Sequence, residues 1–450
     1  VHGGFPMKVL RTALLALVGA SPLGFPVVAG AQAAGDSAPV VGLAEARRRA
    51  LAVDPDAVAA RSQLEAAEWE RRSSWLDLLT PVVTAGTSYT HFSDPFFNFG
   101  TGNISPNATS ATVQAEYTLF GTRKFSALRR SRASVESAEA SETASRFRTM
   151  LAADVAYYAV LADHELARVE AERLSRAREQ FDVARVRVLA GEAIATDSLQ
   201  LLLEANRAQL AVLRRDSALA VSRLRLGRQI GLPGPAEAAA IDTTMPPPLP
   251  LSQTEAVAEA LARGPEFEAA RAAERRADAM LSAERASYLP NITVGATTGA
   301  YDSEFYPTAL KRSQVAITVA LPIWDGGSRE LAVAQARAER DAARAQREDR
   351  ERSAAEAVAQ AYYGYHTARE SIELAAVGAT VAAETYRVQG VRYREGATTI
   401  LDLLEAQVAL SEADAAVVQA RYAARLALAR LEALLGRRIF DTADNDSDNR

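Results

Sequence analysis

The segment EARRRALAVDPDAVAAR, at Glu45–Arg61, returns as EAVAEALARGPEFEAAR at Glu255–Arg271. Nine of the seventeen positions are identical at a constant offset of 210 residues. Each copy has a proline, Pro55 or Pro265, where we expect a second helix to begin, because the first turn of a helix does not need the N–H that proline lacks. The chain is therefore expected to contain two copies of one structural unit.

The similarity continues downstream and defines the unit as helix–strand–strand–helix. Four strands rich in Thr, Val, Gly and Tyr are predicted at about 82–91, 111–120, 291–301 and 313–321. Polar loops are predicted inside the two strand pairs, at 92–110 and 302–312. Four long helices are predicted at about 122–190, 197–230, 327–394 and 398–435. These elements divide the chain into a first repeat (34–231), a proline-rich linker (232–252) and a second repeat (253–440).

Helix length and strand number set the expected architecture, which is mostly α with a small β part. Residues 123–190 contain neither proline nor glycine, and a helix of that length spans roughly 100 Å. Each strand has about ten residues, the length of a transmembrane β-strand. Four strands cannot close a barrel, and lipid does not tolerate an open sheet edge. The chain should therefore oligomerise, unless the strands are hairpins of a small soluble sheet, an alternative that the pattern leaves open.

Composition and motif content exclude several classes of function. The net charge of −5 argues against a nucleic-acid binder, and the absence of cysteine excludes disulfides and thiolate chemistry. The four histidines do not have metal-ligand spacing: His2, His91, His164 and His366. Glycine-rich phosphate loops and Gly-x-Ser-x-Gly are also absent. We predict no enzyme, no cofactor and no metal site.

The two ends of the sequence differ from the repeats. Lys8 and Arg11 precede an apolar run broken by prolines, and Ala31–Ala33 reads Ala-Gln-Ala. A charged start, an apolar middle and small residues at the end are typical of a cleavable signal peptide, which we predict at residues 1–33. Residues 441–450 are polar and acidic and are predicted to be a disordered tail.

In this order, the motifs resemble those of the TolC-type outer-membrane factor family over about Val41–Phe440. The resemblance rests on the two-fold repeat, on Pro322–Gly327 (PIWDGG), and on two helix-break segments, Gly191–Asp197 (GEAIATD) and Tyr393–Gln407 (YREGATTILDLLEAQ). It implies a homotrimer whose twelve strands form one β-barrel in the outer membrane, in contact with lipid. A long α-helical barrel would continue it into the periplasm. The implied partners are a periplasmic adaptor protein and an inner-membrane pump of the RND or ABC type, which would pass substrates through the duct.

The resemblance also implies an acid ring at a closed periplasmic aperture. Asp402 and Glu405 are three positions apart and so share a helix face. Six such carboxylates around a three-fold axis would raise one another's pKa values and could be bridged by divalent cations. The alternative is that Asp402 only begins a helix and Glu405 is solvated. The first-repeat counterparts are Asp197 and Gln200, so only the second repeat has the acid pair.

A closure network is the second implied feature. In the family, a tyrosine and an arginine of the second repeat reach a Thr-Asp pair of the first, here Tyr393 and Thr196–Asp197. Thr398 stands at the arginine position and cannot make the bidentate bonds of a guanidinium. The lock should be weaker, or Arg392 or Arg394 could substitute. As an alternative, Tyr393 only packs on a neighbouring helix.

Glycines and aromatic residues complete the candidate sites. Gly191 and Gly396 are expected to end helices in the left-handed conformation and to form tips that contact the adaptor. Four aromatic residues could lie at the membrane interfaces or simply pack: Phe120, Trp324, Tyr89 and Tyr301.

The competing function is a periplasmic adaptor or long-helix scaffold without a channel. Such a protein would lack the second strand–loop–strand unit.

Overall fold

The computed structural model describes residues 38–98, 102–191, 194–241, 245–307 and 310–440. The predicted signal peptide and acidic tail lie outside the described residues. Across the described ranges, no helix is both long and apolar enough to cross a membrane.

The element order follows the repeat. The first repeat contains β1 (Val40–Val41), α1 (Leu43–Val53), α2 (Pro55–Leu79), β2 (Val82–Asn98), β3 (Asn103–Gly121), α3 (Thr122–Leu189) and α4 (Ala195–Gln229). The connection contains β4 (Glu237–Ala238). The second repeat contains α5 (Gln253–Arg263), α6 (Pro265–Arg285), a 3-10 turn (Ala286–Tyr288), β5 (Asn291–Asp302), β6 (Leu310–Ala320), α7 (Ser328–Arg394) and α8 (Ile400–Leu435).

Helix starts follow local capping rules. Asp54 begins α2: its carboxylate accepts hydrogen bonds from the backbone N–H groups of Asp56 and Ala57, and Pro55 follows it. Ser252 and Glu255 form a capping box at the start of α5. The helices α3 and α7 run for 68 and 67 residues, each about 100 Å long at 1.5 Å per residue. They are the longest helices among the described residues.

The helices pack side by side as a wall with two edges. Near the turns that join α3 to α4 and α7 to α8, the packing order is α4–α3–α8–α7. Nearer the sheet, α2 takes the place of α4 and α6 takes the place of α8, so that the order is α2–α3–α6–α7. Except at the hairpin ends, where Tyr393 of α7 reaches Asp197 of α4, α7 is one edge of the wall and α4 or α2 is the opposite edge.

Four of the strands form one antiparallel sheet in the order β2-β3-β5-β6. Directly paired residues point to the same side, so the register defines two faces. One face is mainly apolar and includes Val83, Ala85, Tyr89, Val113, Tyr117, Ile292, Val294, Val315, Ile317 and Val319. The other is mainly polar and includes Thr84, Gln114, Glu116, Thr297, Arg312 and Gln314. One apolar and one polar face are typical of barrel strands between lipid and a lumen.

The first strand pair is longer than the sequence predicts. Strands expected at 82–91 and 111–120 extend over Val82–Asn98 and Asn103–Gly121, so most of the expected loop 92–110 is a hairpin. Its prolines, Pro95 and Pro106, lie at or beside the register shift between His91 and Phe96. A bulge accommodates a residue that cannot donate to the ladder. The prolines therefore coincide with an interruption of the pairing but do not end the strands.

The linker lies tightly against the long helices near their middle. Tyr157 is fully buried, and its hydroxyl donates to the carbonyl oxygen of Ala239 at 2.6 Å. The Tyr365 hydroxyl donates to the carbonyl oxygen of Pro247 at 2.6 Å. The strand β4 pairs in parallel with β1. The linker therefore joins the two repeats as a packed layer rather than as a loose tether.

Candidate functional site

Two turns form the ends of the helical hairpins opposite the sheet. Gly191 and Gly396 have φ angles of +77° and +76°, the left-handed region that glycine occupies without steric cost. At the second turn the N–H of Gly396 donates to the carbonyl oxygen of Tyr393 at 3.1 Å, and the N–H of Ala397 to that of Arg392 at 2.8 Å. This pairing is typical of a helix that ends at glycine. Both glycines are exposed.

The two hairpin ends pack on each other through a small apolar cluster. Its buried members come from both repeats: Ala184, Leu201, Ile400 and Leu403. Partly buried aromatic residues cover it: Phe181, Tyr386 and Tyr393. The Gln180 side-chain amide donates to the Tyr386 hydroxyl at 2.5 Å. The cluster brings the two helix-break segments together.

Tyr393 of the second repeat contacts Asp197 of the first. The tyrosine hydroxyl donates to Oδ2 of Asp197 at 3.2 Å. Burial raises the pKa of Tyr393 above its usual range, and the adjacent Asp197 carboxylate raises it further. The phenol is therefore held protonated as a donor. Thr196 lies exposed beside Asp197.

Thr398, at the expected arginine position, binds within its own repeat. Its hydroxyl donates to Oδ2 of Asp402 at 2.7 Å, and the Thr399 hydroxyl and N–H donate to the same oxygen at 2.6 and 3.0 Å. Oγ1 of Thr399 in turn accepts from the N–H of Asp402 at 3.3 Å. Thr399 and Asp402 thus form a capping box at the start of α8.

These hydrogen bonds lower the pKa of Asp402 from 3.8 to about 2, the side chain of Thr399 having the largest effect. A carboxyl whose pKa is lower in the folded state stabilises that state when it is ionised. The stabilisation is therefore complete above pH about 4 and is lost as the pH falls toward 2. Asp402 therefore caps the start of α8, and its exposed carboxylate remains negatively charged near neutral pH.

The two repeats differ in how the second helix of each hairpin begins, and a single residue explains the difference. Ile194 stands where the second repeat has Thr399, and the start of α4 has no side-chain cap hydrogen bond. Without a hydroxyl there, Asp197 cannot form the capping box that holds Asp402. Its carboxylate accepts the Tyr393 hydroxyl instead. One substitution in a duplicated unit thus frees an aspartate for a contact between repeats.

The two arginines of the second turn bind backbone carbonyl groups. Arg392 donates to the carbonyl oxygen of Ala397 at 3.3 Å, and Arg394 to that of Gly390 at 3.2 Å. Within the chain, both arginines therefore bind backbone of their own hairpin. Glu405 is exposed one turn after Asp402.

We predict that Tyr393→Phe loosens the packing of the two hairpin ends. A hydrogen bond to a carboxylate contributes about 1 to 2 kcal/mol, so amide hydrogen exchange near both turns should accelerate about five- to thirtyfold. Tyr363→Phe is the matched control, because its hydroxyl bonds Gln253 in the other half of the molecule. Equal exchange rates in Tyr393→Phe and the parent would show that the hydrogen bond does not hold the hairpin ends.

The four aromatic residues predicted at the membrane interfaces do not all lie on the same face of the sheet or at the same end of it. Phe120 lies opposite Ile292 at the helix end, and Trp324, 77% exposed, follows β6 there. Tyr89 lies on the apolar face near the far end. Tyr301 pairs with Ser110 and lies on the polar face, which argues against lipid contact. Sequence reasoning missed Phe305, whose ring centroid is 6.2 Å from that of Tyr89, because it lies in a loop without periodicity.

The spacing of the aromatic positions fits a membrane. Tyr89 and Asp302 both pair with Thr109, from opposite sides, and Phe120 pairs with Ile292. Asp302 and Ile292 are ten positions apart on β5. Ten residues at about 3.4 Å span about 34 Å along the strand. A tilt of about 40° reduces this to a height of about 26 Å, close to the apolar band of an outer-membrane barrel.

Exposed apolar stripes mark the free edges of the helical wall. On α4 the stripe comprises Leu199, Leu203, Leu210, Leu213, Val221 and Leu224. With 3.6 residues per turn, it lies opposite the buried face that contains Leu201, Ala208 and Leu226. On α7 the exposed stripe comprises Leu374, Val377, Val381, Val388 and Val391. Both stripes follow the spacing of helix–helix seams.

Strands of membrane-spanning length, helices of about 100 Å and exposed apolar stripes along the edge helices are the architecture of an outer-membrane channel protein. The chain belongs to the outer membrane efflux protein family, whose sequence model matches residues 46–232 and 256–437. This membership confirms the predicted family, and the function of the family is that of an outer-membrane efflux channel. Family and fold are those of channels, not of enzymes. Among the described residues, no three His, Cys, Asp or Glu side chains group as a metal site.

Similar solved structures confirm the predicted fold class. CusC, studied for transmembrane channel formation, has a TM-score of 0.76 and 18% identity over 88% of this chain and 92% of its own. The CmeC outer membrane channel of Campylobacter jejuni has a TM-score of 0.76 and 17% identity over 90% and 88%. Protein CyaE of Bordetella pertussis is 31% identical over 206 residues, which span 44% of this chain and 43% of CyaE.

Proposed function

We propose that three copies of this chain form the exit duct of a tripartite efflux or type I secretion system. A cleavable signal peptide directs the chain across the inner membrane. The sheets form a twelve-stranded barrel in outer-membrane lipid, and the long helices extend it through the periplasm. A periplasmic adaptor and an inner-membrane pump of the RND or ABC type deliver the substrate.

The observation that carries this proposal is the pair of free edges along the whole molecule. The sheet ends in β2 and β6, and the helical wall ends in α7 on one side and in α2 or α4 on the other. An edge that pairs with the opposite edge of the next copy makes a head-to-tail contact, which closes a ring at a fixed copy number. Closure also removes the strand edges that lipid does not tolerate.

The hairpin ends fit the role of an aperture. Asp402 and Glu405 are exposed on one side of α8, and three copies place six carboxylates around the axis. The Tyr393–Asp197 hydrogen bond joins the two hairpins of each copy and favours the closed arrangement. The exposed turns at Gly191 and Gly396 are the surfaces nearest to an adaptor.

A scaffold without a channel is disfavoured because the second repeat has its own strand pair, β5 and β6. The deciding experiment is fractionation of cells that express the full chain. We expect the processed protein in the outer-membrane fraction, released by detergent as a trimer. Recovery in the soluble periplasmic fraction without detergent would exclude the duct.

A further inference from the structure

Lysine is rare in this chain, and its placement on the sheet is selective. Of the 51 basic residues only Lys8, Lys124 and Lys311 are lysine, and the rest are arginine. Lys124 follows β3 at the helix end of the sheet, with Nζ 4.6 Å from the ring centroid of Tyr117 on the apolar face. Lys311 lies at the other end of that face, on β6. The two lysines thus lie near opposite rims of the apolar band.

Lys311 borders a shallow depression in the apolar face. The register pairs residues of neighbouring strands, and we call a set of residues paired across the four strands a row. One row consists of Thr87, Ala111, Ala300 and Lys311. The neighbouring row toward the helices begins with Ala85 and includes Thr298. These small side chains and Lys311 line a depression of about 550 Å³. Its floor is low because alanine and threonine stand between larger valine and tyrosine side chains.

The rim away from the helices is aromatic. Tyr89 lies one row beyond the depression, and Phe305 from the β5–β6 loop packs beside it. Asp302, the acidic residue in that row, is 8% exposed, and its Oδ1 accepts the N–H groups of Ser303 and Glu304. This carboxylate therefore faces its own loop. An apolar floor, an aromatic rim and an exposed amine match the layers of a membrane from acyl chain to headgroup.

We propose that this depression binds one anionic, phosphate-bearing membrane lipid per chain. An acyl chain lies over Ala85, Ala111 and Ala300, and the Lys311 ammonium pairs with the headgroup phosphate. The proposal rests on the proposed function, in which the apolar face contacts lipid. A lysine on that face keeps its stem in the apolar layer while its charge reaches the headgroups.

The test is native mass spectrometry of the detergent-solubilised full assembly titrated with phosphatidylglycerol. Lys311→Met removes the charge and keeps an apolar side chain suited to lipid. Since one lysine near an anionic membrane surface contributes about 1 kcal/mol, we expect an affinity about fivefold lower per site. Lys124→Met is the matched control at the opposite rim and should leave binding at the depression unchanged. Phosphatidylcholine with the same chains should bind the parent about as weakly as phosphatidylglycerol binds Lys311→Met.

The outcomes separate this inference from the proposed function. Equal phosphatidylglycerol affinity of the parent and Lys311→Met, in assemblies that both fractionate with the outer membrane, overturns the lipid site and leaves the duct intact. Equal loss in Lys124→Met and Lys311→Met also overturns it, because the effect would then be general charge attraction. Competition by inorganic phosphate alone at matched concentration would identify an anion site and contradict the lipid. A parent chain that never enters the membrane fraction would refute the duct itself.

Discussion

Replacing both Leu203 and Leu210 by glutamate should convert the proposed trimer into monomers. The two leucines are 50% and 48% exposed in the single chain and lie in the centre of the α4 stripe. Closing the ring would bury six such leucines per trimer, each worth about 2 kcal/mol. Glutamates at these positions would lose that gain and would add a desolvation cost. Light scattering coupled to size-exclusion chromatography in detergent measures the change directly.

The control for this prediction is Arg207→Glu on the same helix. It changes the net charge by two units, as the double leucine substitution does, but it lies beside the stripe. We expect Arg207→Glu to remain trimeric. If the leucine double variant also remained a trimer of parental stability, α4 would not be the edge that the next copy covers.

Glu405→Gln should give the second large effect, on the passage of ions. In a three-fold ring, neutralising this side chain removes three of the six proposed carboxylates. Since each unit charge contributes about 1 kcal/mol at 4 Å even at the dielectric constant of water, block by divalent cations should weaken at least tenfold. Single-channel recording in planar bilayers, with Mg²⁺ added on the helical side, measures this. Conductance without divalent cations should also rise.

The contribution of Asp402 to divalent block has to be tested separately, because its carboxylate also caps α8. Asp402→Asn combines the loss of charge with a weaker helix start, so its effect alone would be ambiguous. Thr399→Ala is the matched control, since it weakens the cap by about 1 kcal/mol and keeps the carboxylate. Divalent block that persists in Thr399→Ala and falls in Glu405→Gln would assign the effect to charge. Unchanged block in Glu405→Gln and Asp402→Asn would refute the acid ring.

The sequence predicts best those structural features, such as helix ends, that depend on only one or two residues. Gly191 and Gly396 end helices because glycine alone enters the left-handed region without cost. The Thr-x-x-Asp pattern at 399–402 is likewise that of a capping box, which two residues decide.

Features that depend on pairing were not visible. The alternation within single strands is weak, and the two faces emerge only when the register aligns four strands. For the same reason the sequence could not place Tyr301 on the polar face. The extent of the first hairpin was missed because Pro95 ends a strand in most contexts, but here it lies at a bulge.

The pairing of β3 with β5 has a consequence for folding order. It joins residues between 170 positions apart (Gly121 with Asn291) and 193 positions apart (Thr109 with Asp302). By contrast, only five residues, 190–194, separate α3 from α4 along the chain. Local contacts form before distant ones, because the entropy of closing a long loop opposes the latter. The helical hairpins can therefore form while the strands are still unpaired. The four-stranded sheet is completed last, because β3 can pair with β5 only when both repeats are present.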